Sequence, residues 1–215
     1  MKVSIVSIAK NKKELEPLMN RLKKQTFKDW EFVYSTKKGI PQAWNDAFSK
    51  AKGKIIITTE SDAMPLTDTW IEELVNALEK LNSTLVFVRG LEFQPTPWCW
   101  CNTVFYAETI KKHKLDKSYP IAEDTEFFSR LHYKYNYKGY TLNIAPVMHV
   151  KKFKGVWKEI KNHYLYGKLH ARIKNNYHVI NFNENDIKSA NILKREIANI
   201  FGSIALLIGI IRGLL

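Results

Sequence analysis

The stretch Ile55-Ile56-Ile57-Thr58-Thr59-Glu60-Ser61-Asp62 combines the two features that decide the fold. Its first five residues are all β-branched, which is typical of a strand buried on both faces of a parallel sheet. Glu60 and Asp62 follow at once, so we expect their carboxylates at the end of that strand. Hard cations such as Mg²⁺ and Mn²⁺ take oxygen ligands and are often shared with substrate phosphates. The stretch therefore predicts a central strand that ends in a candidate metal site, with an acid-rich solvated turn as the alternative.

Further strands are expected on both sides of this one, with helical spacing between them. The predicted strands are 3–8, 31–35, 55–59 and 85–88. Helices are expected after Asn11, Pro41 and Thr69, and Asn11 and Thr69 each begin a capping box. This alternation implies a mainly parallel sheet with right-handed crossovers, whose ligands bind beyond the carboxyl ends of the strands. The residues at those ends are 9–11, 35–39 and 60–63.

The pattern is looser after Gly90. We expect a loop over residues 94–100, with large aromatic rings that are exposed or semi-exposed. Residues 123–135 have the composition of a helix, and residues 141–144 read as another strand.

Three more side chains in this half could carry chemistry. Glu123 and Asp124 precede an aromatic-rich helical segment, and a carboxylate pair in a cleft can supply a general base and electrostatic support. A helix N-terminus, where the helix dipole favours acids, explains the pair equally well. His149 could ligate a metal or touch a diphosphate, and a structural histidine is the alternative.

Composition limits the class of protein. The 215 residues include 34 Lys and Arg against 21 Asp and Glu, and the net charge of +13 attracts nucleic acid, anionic lipid headgroups or phosphorylated substrates. Hydrophobic residues make up 45%, which argues against intrinsic disorder. Cys99 and Cys101 are the two cysteines, and their spacing fits neither a zinc knuckle nor a disulfide scaffold, so a reducing interior is expected.

The C-terminal third is basic and then apolar. Residues 151–178 hold eight Lys or Arg against one acid, with aromatic residues between them, which suits a lipid surface, a nucleic acid or a solvated face. Residues 197–211 are 15 uncharged residues with helical apolar spacing, or about 22 Å of helix, which is short of the roughly 30 Å hydrocarbon core. We therefore predict a helix that lies in the membrane interface, with a packed helix or a dimer seam as the alternative.

Taken together, these segments resemble the family 2 glycosyltransferases, which have the GT-A fold. The resemblance covers nearly the whole chain in the family's order. The matching segments are Val3-Ser4-Ile5-Val6-Ser7-Ile8, Gln25-Thr26-Phe27, Ala43-Trp44-Asn45-Asp46-Ala47, Glu60-Ser61-Asp62-Ala63-Met64-Pro65, Ala122-Glu123-Asp124 with Arg130-Leu131, His149, and Tyr166-Gly167-Lys168.

This resemblance implies a fold, domains and roles. The fold would be α/β, a mainly parallel Rossmann-like sheet flanked by helices, with a catalytic domain over 1–150 and a helical appendage over 151–215. Residues 1–90 would form its nucleotide-binding half and 91–150 its acceptor and catalytic half. Asp124 would be the base that deprotonates the acceptor, with Glu123 beside it, and Asp62 and His149 would hold Mn²⁺ or Mg²⁺. The nucleotide would be bound by Ile8, Ala9, Lys10, Asn11, Ser35, Asn45, Glu60 and Ser61.

The implied activity is an inverting, metal-dependent sugar transfer at the cytoplasmic face of a membrane. A UDP-sugar is the expected donor, and a glycan or lipid-linked glycan is the expected acceptor. An anionic membrane surface is the expected partner, nucleic acid is not, and a homodimer is left open. The rivals are a nucleic-acid-binding module that uses residues 151–178 and an inactive GT-A scaffold that binds a lipid or a partner.

Overall fold

The computed structural model describes residues 2–92, 99–149 and 156–177. The chain alternates strands and helices through most of this length. The strands are β1 (Val3–Ile8), β2 (Trp30–Ser35), β3 (Ile55–Thr58), β4 (Ala63–Pro65), β5 (Val86–Arg89), β6 (Thr103–Tyr106), β7 (Lys138–Thr141) and β8 (Val147–His149). The helices are α1 (Glu16–Leu22), α2 (Ile40–Lys50), α3 (Trp70–Lys80), α4 (Ala107–Lys112), α5 (Glu123–Tyr135) and α6 (Val156–Tyr177), and a 3₁₀ turn at Lys12–Leu15 precedes α1.

Six strands form one central sheet in the order β2-β1-β3-β6-β5-β7. The pairs β1–β2, β1–β3 and β5–β7 are parallel, whereas β6 runs antiparallel to both of its neighbours. The predicted α/β fold with a mainly parallel sheet is therefore confirmed. Because β6 reverses the direction once on each side, β5 runs the same way as β1 and β3, and its carboxyl end lies at the same edge of the sheet.

Helices cover both faces of the sheet. On one face α1 and α3 bury Leu18 and Trp70 against β1 and β3, and on the other α2 and α5 bury Trp44 and Phe127. Each such side chain contributes roughly 1.5–3 kcal/mol when fully removed from water. The prediction of exposed rings at 94–100 is wrong for Trp100, which is 1% exposed, because its ring packs 5.0–5.2 Å from three core rings.

The helix after Thr69 begins as predicted, but its capping box does not form. The Thr69 hydroxyl donates to the Glu73 carboxylate and accepts no hydrogen bond from a backbone N–H of the helix. The Gln25 side chain instead accepts from the Ile71 N–H at 3.2 Å, and its amide donates to the Thr67 carbonyl at 2.8 Å. A buried glutamine that follows α1 thus accepts from one of the unpaired N–H groups in the first turn of α3. The Thr69 hydroxyl bonds to Glu73 instead.

The strand expected at 141–144 lies earlier, at Lys138–Thr141. Beyond residue 141 the backbone continues beside the end of β5, with the Leu142 N–H on the Arg89 carbonyl at 2.9 Å and the Leu91 N–H on the Ile144 carbonyl at 2.7 Å. Ala145, at φ 48°, then donates its N–H to Glu73 at 2.6 Å, which ties this segment to α3.

Parts of several sequence predictions lie outside the described residues. They are the loop at 93–98, residues 151–155 and 178 of the basic segment, and the apolar tail at 197–211. Within the described ranges, no helix combines the length and apolar character that crossing a membrane requires.

Candidate active site

The first predicted nucleotide contacts lie where β1 and β2 end side by side. Ala9 donates its N–H to the Ser35 carbonyl at 3.1 Å, which joins the two strand ends. Asn11 caps the 3₁₀ turn by accepting from the Glu14 N–H, and the Glu14 carboxylate accepts from the Lys10 N–H at 3.1 Å. The segment 8–11 therefore has a fixed backbone, with Ile8 and Ala9 half-buried and Lys10 and Asn11 exposed.

Ser35 belongs to a closed group of charges, which we call the Asp46 cluster: Ser35, Lys37, Asp46 and Lys50. The Ser35 hydroxyl donates to Asp46 at 2.8 Å, while the ammonium groups of Lys37 and Lys50 lie 2.5 and 2.6 Å from its oxygens. The bond from Lys37, followed by those from Lys50 and Ser35, holds the pKa of the Asp46 carboxyl well below its usual range. Asp46 thus stays ionised and fully paired.

Asn45, another predicted nucleotide contact, is engaged elsewhere. Its amide donates to the Leu115 carbonyl at 3.1 Å and accepts from the Leu115 N–H at 3.0 Å. These two bonds tie α2 to the segment before α5. A nucleotide contact by Asn45 stays a prediction and would require the side chain to change partners.

The acid-x-acid turn lies beside His149 because β4 pairs with β8. Ala63 is opposite His149 in this small antiparallel sheet, and the turn is closed by the Ala63 N–H on the Glu60 carbonyl at 3.0 Å. His149 Nδ1 consequently lies 3.8 Å from Asp62 Oδ1 and 3.9 Å from Glu60 Oε2. Ser61, between the two acids, is half-buried.

These three side chains fit a divalent cation. One ligand atom from each of Glu60, Asp62 and His149 lies within 4.8 Å of the other two. Two carboxylate oxygens with one imidazole nitrogen suit Mn²⁺ or Mg²⁺, which prefer oxygen ligands and leave positions for phosphate. The structure thus places the two predicted cation ligands, Asp62 and His149, side by side, and adds Glu60, which the family resemblance assigned to the nucleotide.

Glu92 is a site residue that the sequence analysis missed. It follows the carboxyl end of β5, its side chain is fully buried, and its Oε2 lies 3.7 Å from His149 Nε2. Arg89 Nε lies 3.5 Å from the same carboxylate, and the Cys99 thiol donates to it at 3.2 Å. The strand-end rule that singled out residues 60–63 applies equally to β5 and would have found it.

Asn102 holds the segment that follows β5 against the segment that precedes β8. Its amide donates to the carbonyls of Leu91 and Ala145 at 3.0 and 2.8 Å, and its oxygen accepts from Trp70 at 2.7 Å. A Cβ on Gly90 would lie 2.6 Å from the Asn102 amide, so only glycine leaves room for this contact. Both Glu92 and His149 are thereby held beside the acid-x-acid turn.

Glu123 and Asp124, which we call the acid pair, open α5 after Ala122, whose backbone is left-handed at φ 57°. Burial, and next the neighbouring Asp124, raise the pKa of Glu123 well above its usual range. Burial raises the pKa of Asp124 to about 7, although a 2.6 Å bond from the Thr125 N–H opposes the rise. The Glu60 charge also raises both pKa values, which shows that the acid pair and the turn share one electrostatic environment.

Helix α6 packs behind the acid pair. Leu169 and Ile173 cluster with Tyr119 and Ala122, in the segment that leads into α5. Arg172 lies over the Tyr119 ring at 4.5 Å. The predicted basic segment after the catalytic region therefore supports the start of α5 through Arg172 and two apolar side chains.

Part of the chain matches a known family. Residues 32–130 match the sequence model of the family described as Glycosyl transferase family 2, which confirms the predicted resemblance. That range holds most of β2, the Asp46 cluster, the acid-x-acid turn and the acid pair. A comparison with curated proteins gives no match.

Solved structures share the fold at low identity. A mannosyltransferase, PcManGT from Pyrobaculum calidifontis in complex with GDP-Man and Mn²⁺, has a TM-score of 0.63 at 14% identity, over 97% of this chain and 72% of that one. TarS 1–349 of S. aureus in complex with UDP-GlcNAc has a TM-score of 0.59 at 14% identity, over 84% and 68%. Glucosyl-3-phosphoglycerate synthase of Mycobacterium tuberculosis in complex with Mn²⁺, UDP and phosphoglyceric acid scores 0.61 at 10% identity, over 84% and 80%.

Proposed function

We propose that this chain transfers a sugar from a nucleotide-diphosphate donor to a hydroxyl acceptor by a single displacement. The family 2 glycosyltransferase pattern over residues 32–130 and the GT-A fold support this proposal. One observation carries the proposal. The carboxylate oxygens of Glu60 and Asp62 and the imidazole nitrogen of His149 converge at the sheet edge, close enough to Asp124 for the Glu60 charge to raise its pKa.

In this proposal Asp124 is the general base. A carboxyl with a pKa near neutrality can take a proton from a hydroxyl in the transition state, and it is a stronger base than a carboxylate of ordinary pKa. Burial and the Glu60 charge hold the Asp124 pKa in this range. The proton moves from the acceptor hydroxyl to Asp124 as the acceptor oxygen bonds to the anomeric carbon and the bond to the diphosphate breaks, which inverts that carbon.

The departing diphosphate needs positive charge beside it. Asp62, Glu60 and His149 would hold Mn²⁺ or Mg²⁺, and such a cation supplies Lewis-acid stabilisation of leaving-group oxygens. The Lys10 side chain is exposed beside the same strand ends and can add a further positive charge. Residues 8–11, Ser35 and Ser61 are the proposed nucleotide contacts, and their positions at neighbouring strand ends support this role.

A UDP-sugar is the proposed donor. The similar structures contain GDP-Man, UDP-GlcNAc or UDP, so the fold accommodates both bases. The choice therefore has to be measured on this chain, by calorimetry with UDP and GDP in the presence of Mn²⁺.

We further propose a membrane-held acceptor at the cytoplasmic face of a membrane. The net charge of +13 and the apolar residues 197–211 support this location. Deleting residues 197–215 should move the protein from the membrane fraction to the soluble fraction. Unchanged partitioning would favour a helix packed on the domain or on a second copy.

The decisive experiment for the activity combines binding and turnover. Wild type should bind a nucleotide diphosphate only with Mn²⁺ or Mg²⁺ and transfer or hydrolyse the matching nucleotide sugar, and Asp62→Asn should lose both properties. Glu79→Gln is the matched control, because Glu79 pairs with Lys2 at the opposite edge of the sheet.

Two other results would replace the proposal. Wild type that binds no nucleotide with either cation would indicate an inactive scaffold. Steeply salt-dependent binding of RNA or DNA that survives Asp62→Ala would indicate a nucleic-acid-binding module.

A further inference from the structure

A second set of metal-ligand atoms lies on the far side of the His149 ring. Nδ1 of this imidazole is directed at Glu60 and Asp62, whereas Nε2 lies 3.7 Å from Glu92. Ligand atoms of Glu92, Cys101 and His149 all lie within 4.8 Å of one another. The Glu92 and Cys101 side chains are buried and His149 is 5% exposed, so water does not compete strongly for these atoms.

The chemistry of this set differs from that of the acid-x-acid turn. Sulfur, imidazole nitrogen and one carboxylate oxygen are typical ligands of Zn²⁺, whereas thiolate sulfur is not a usual ligand of Mg²⁺ or Mn²⁺. With Zn–ligand bonds of about 2.0–2.3 Å, tetrahedral ligand atoms are about 3.4 Å apart, so the side chains need to close by roughly 1 Å. Cys99 offers a further thiol: its sulfur lies 3.2 Å from Glu92 Oε1, outside the group of mutually close ligand atoms, and it would have to move toward Cys101 and His149 to complete the set.

The charges of this buried group also balance around a divalent cation. Glu92 and the thiolates of Cys99 and Cys101 would bring three negative charges, and Arg89 lies 3.5 Å from Glu92. A cation of charge two, together with the Arg89 guanidinium, neutralises them, as a buried site requires. The two cysteines lack a second Cys pair in the sequence, but the fold supplies a glutamate and a histidine in its place.

We propose that Glu92, Cys101 and His149, completed by Cys99, form a site for a thiophilic divalent cation of the Zn²⁺ class. The site shares His149 with the candidate Mn²⁺ or Mg²⁺ group. A neutral imidazole has one nitrogen lone pair, so a cation bound at Nε2 leaves Nδ1 protonated toward Asp62. Occupation of the thiol site therefore removes one ligand from the group at the acid-x-acid turn and weakens it.

Cobalt(II) is the probe for the site itself, because thiolate ligands give it a charge-transfer absorption in the near ultraviolet that oxygen ligands do not. The titration uses the full chain with its thiols reduced and without oxygen. Wild type should show the absorption, saturating at one equivalent, and Zn²⁺ should abolish it. The double variant Cys99→Ser, Cys101→Ser should lose it, either single variant should reduce Co²⁺ affinity about 10-fold, and Asp62→Asn should keep it.

The absence of the absorption in wild type would overturn the proposal, and so would its survival in the double variant or its loss in Asp62→Asn. Circular dichroism checks that the double variant is folded. Should it unfold, the Zn²⁺ content of wild type after dialysis against metal-free buffer replaces it: one bound equivalent is expected, and none would overturn the proposal.

The competition for His149 is tested separately, by electron paramagnetic resonance of Mn²⁺. One equivalent of Zn²⁺ should lower the Mn²⁺ affinity of wild type about 10-fold and leave that of the double variant unchanged. Equal effects on both proteins would contradict the shared ligand. The cobalt absorption needs no donor, so failure of the proposed transferase activity would not remove it.

Discussion

The Asp46 cluster and the acid pair are both carboxylate sites within the matched family segment, yet their electrostatics are opposite. Asp46 is surrounded by Lys37, Lys50 and Ser35, which lower its pKa. Glu123 is buried and Asp124 is half-buried beside it, both near Glu60, and their pKa values are raised. The Asp46 cluster stabilises the fold, and its carboxylate is fully paired. In the acid pair, ionisation of the carboxyl groups costs stability, which is typical of functional positions.

The largest expected effect is on turnover at the acid pair. Asp124→Asn keeps the shape of the side chain but removes the base, so turnover on the confirmed donor should fall about 10²–10⁴-fold. Nucleotide affinity measured by calorimetry should stay within about threefold of wild type, because Asp124 is proposed to act on the acceptor. Glu79→Gln serves as the control, and equal turnover in Asp124→Asn and wild type would exclude Asp124 as the base.

The second effect is a gain in stability from the same substitution. The unfolded Asp124 ionises near its ordinary pKa of 3.8 and the folded one near about 7, so ionisation destabilises the folded state as the pH rises between these values. Asp124→Asn should raise the free energy of unfolding at pH 8 by about 2 kcal/mol, a figure reduced because Asp124 is partly exposed. The gain should grow from about pH 4 to about pH 7 and then stay constant.

Urea unfolding of the protein with a chelator present measures this gain. The chelator is needed because a cation at the acid-x-acid turn would lower the pKa of the nearby carboxyls. A variant less stable than wild type at pH 8 would mean that the acid pair is not held in a costly state.

The third and smallest effect has the opposite sign. Asp46→Asn should lower the free energy of unfolding at pH 7 by about 1 kcal/mol, because its partners Lys37 and Lys50 are more than half exposed and the pairs are screened. Since the folded pKa is lowered, this contribution is present above the ordinary pKa of 3.8 and is lost as the pH falls through the lower pKa of the folded state. Urea unfolding at pH 7 in low salt and in about 1 M salt measures the loss, and a loss that persists in high salt would point to packing and not charge.

The sequence predicted the parts of the molecule that are set by local pattern. The bounds of β1 and α5 were predicted to the residue, because both are continuous stretches with clear burial or helical periodicity. Glu60, Asp62, Glu123 and Asp124 were found because acids at strand ends and helix starts are visible in the sequence.

The rest depends on contacts between distant segments. Strands β4 and β8 have three residues each and exist because they pair with each other, so neither has a pattern of its own. Trp100 looked like a loop residue because its core partners come from α2 and α5. Asn45 was assigned from the family pattern, and its pairing with Leu115, 70 residues away, has no local signal.

The stereochemistry of the first-formed product tests the central claim most directly. If Asp124 is a base and the sugar moves in a single displacement, proton NMR of a reaction with a donor of known anomeric configuration should show the opposite configuration in the product. A product that retains the donor's configuration would require a double displacement or a front-side attack, and it would contradict the role of Asp124 as the general base.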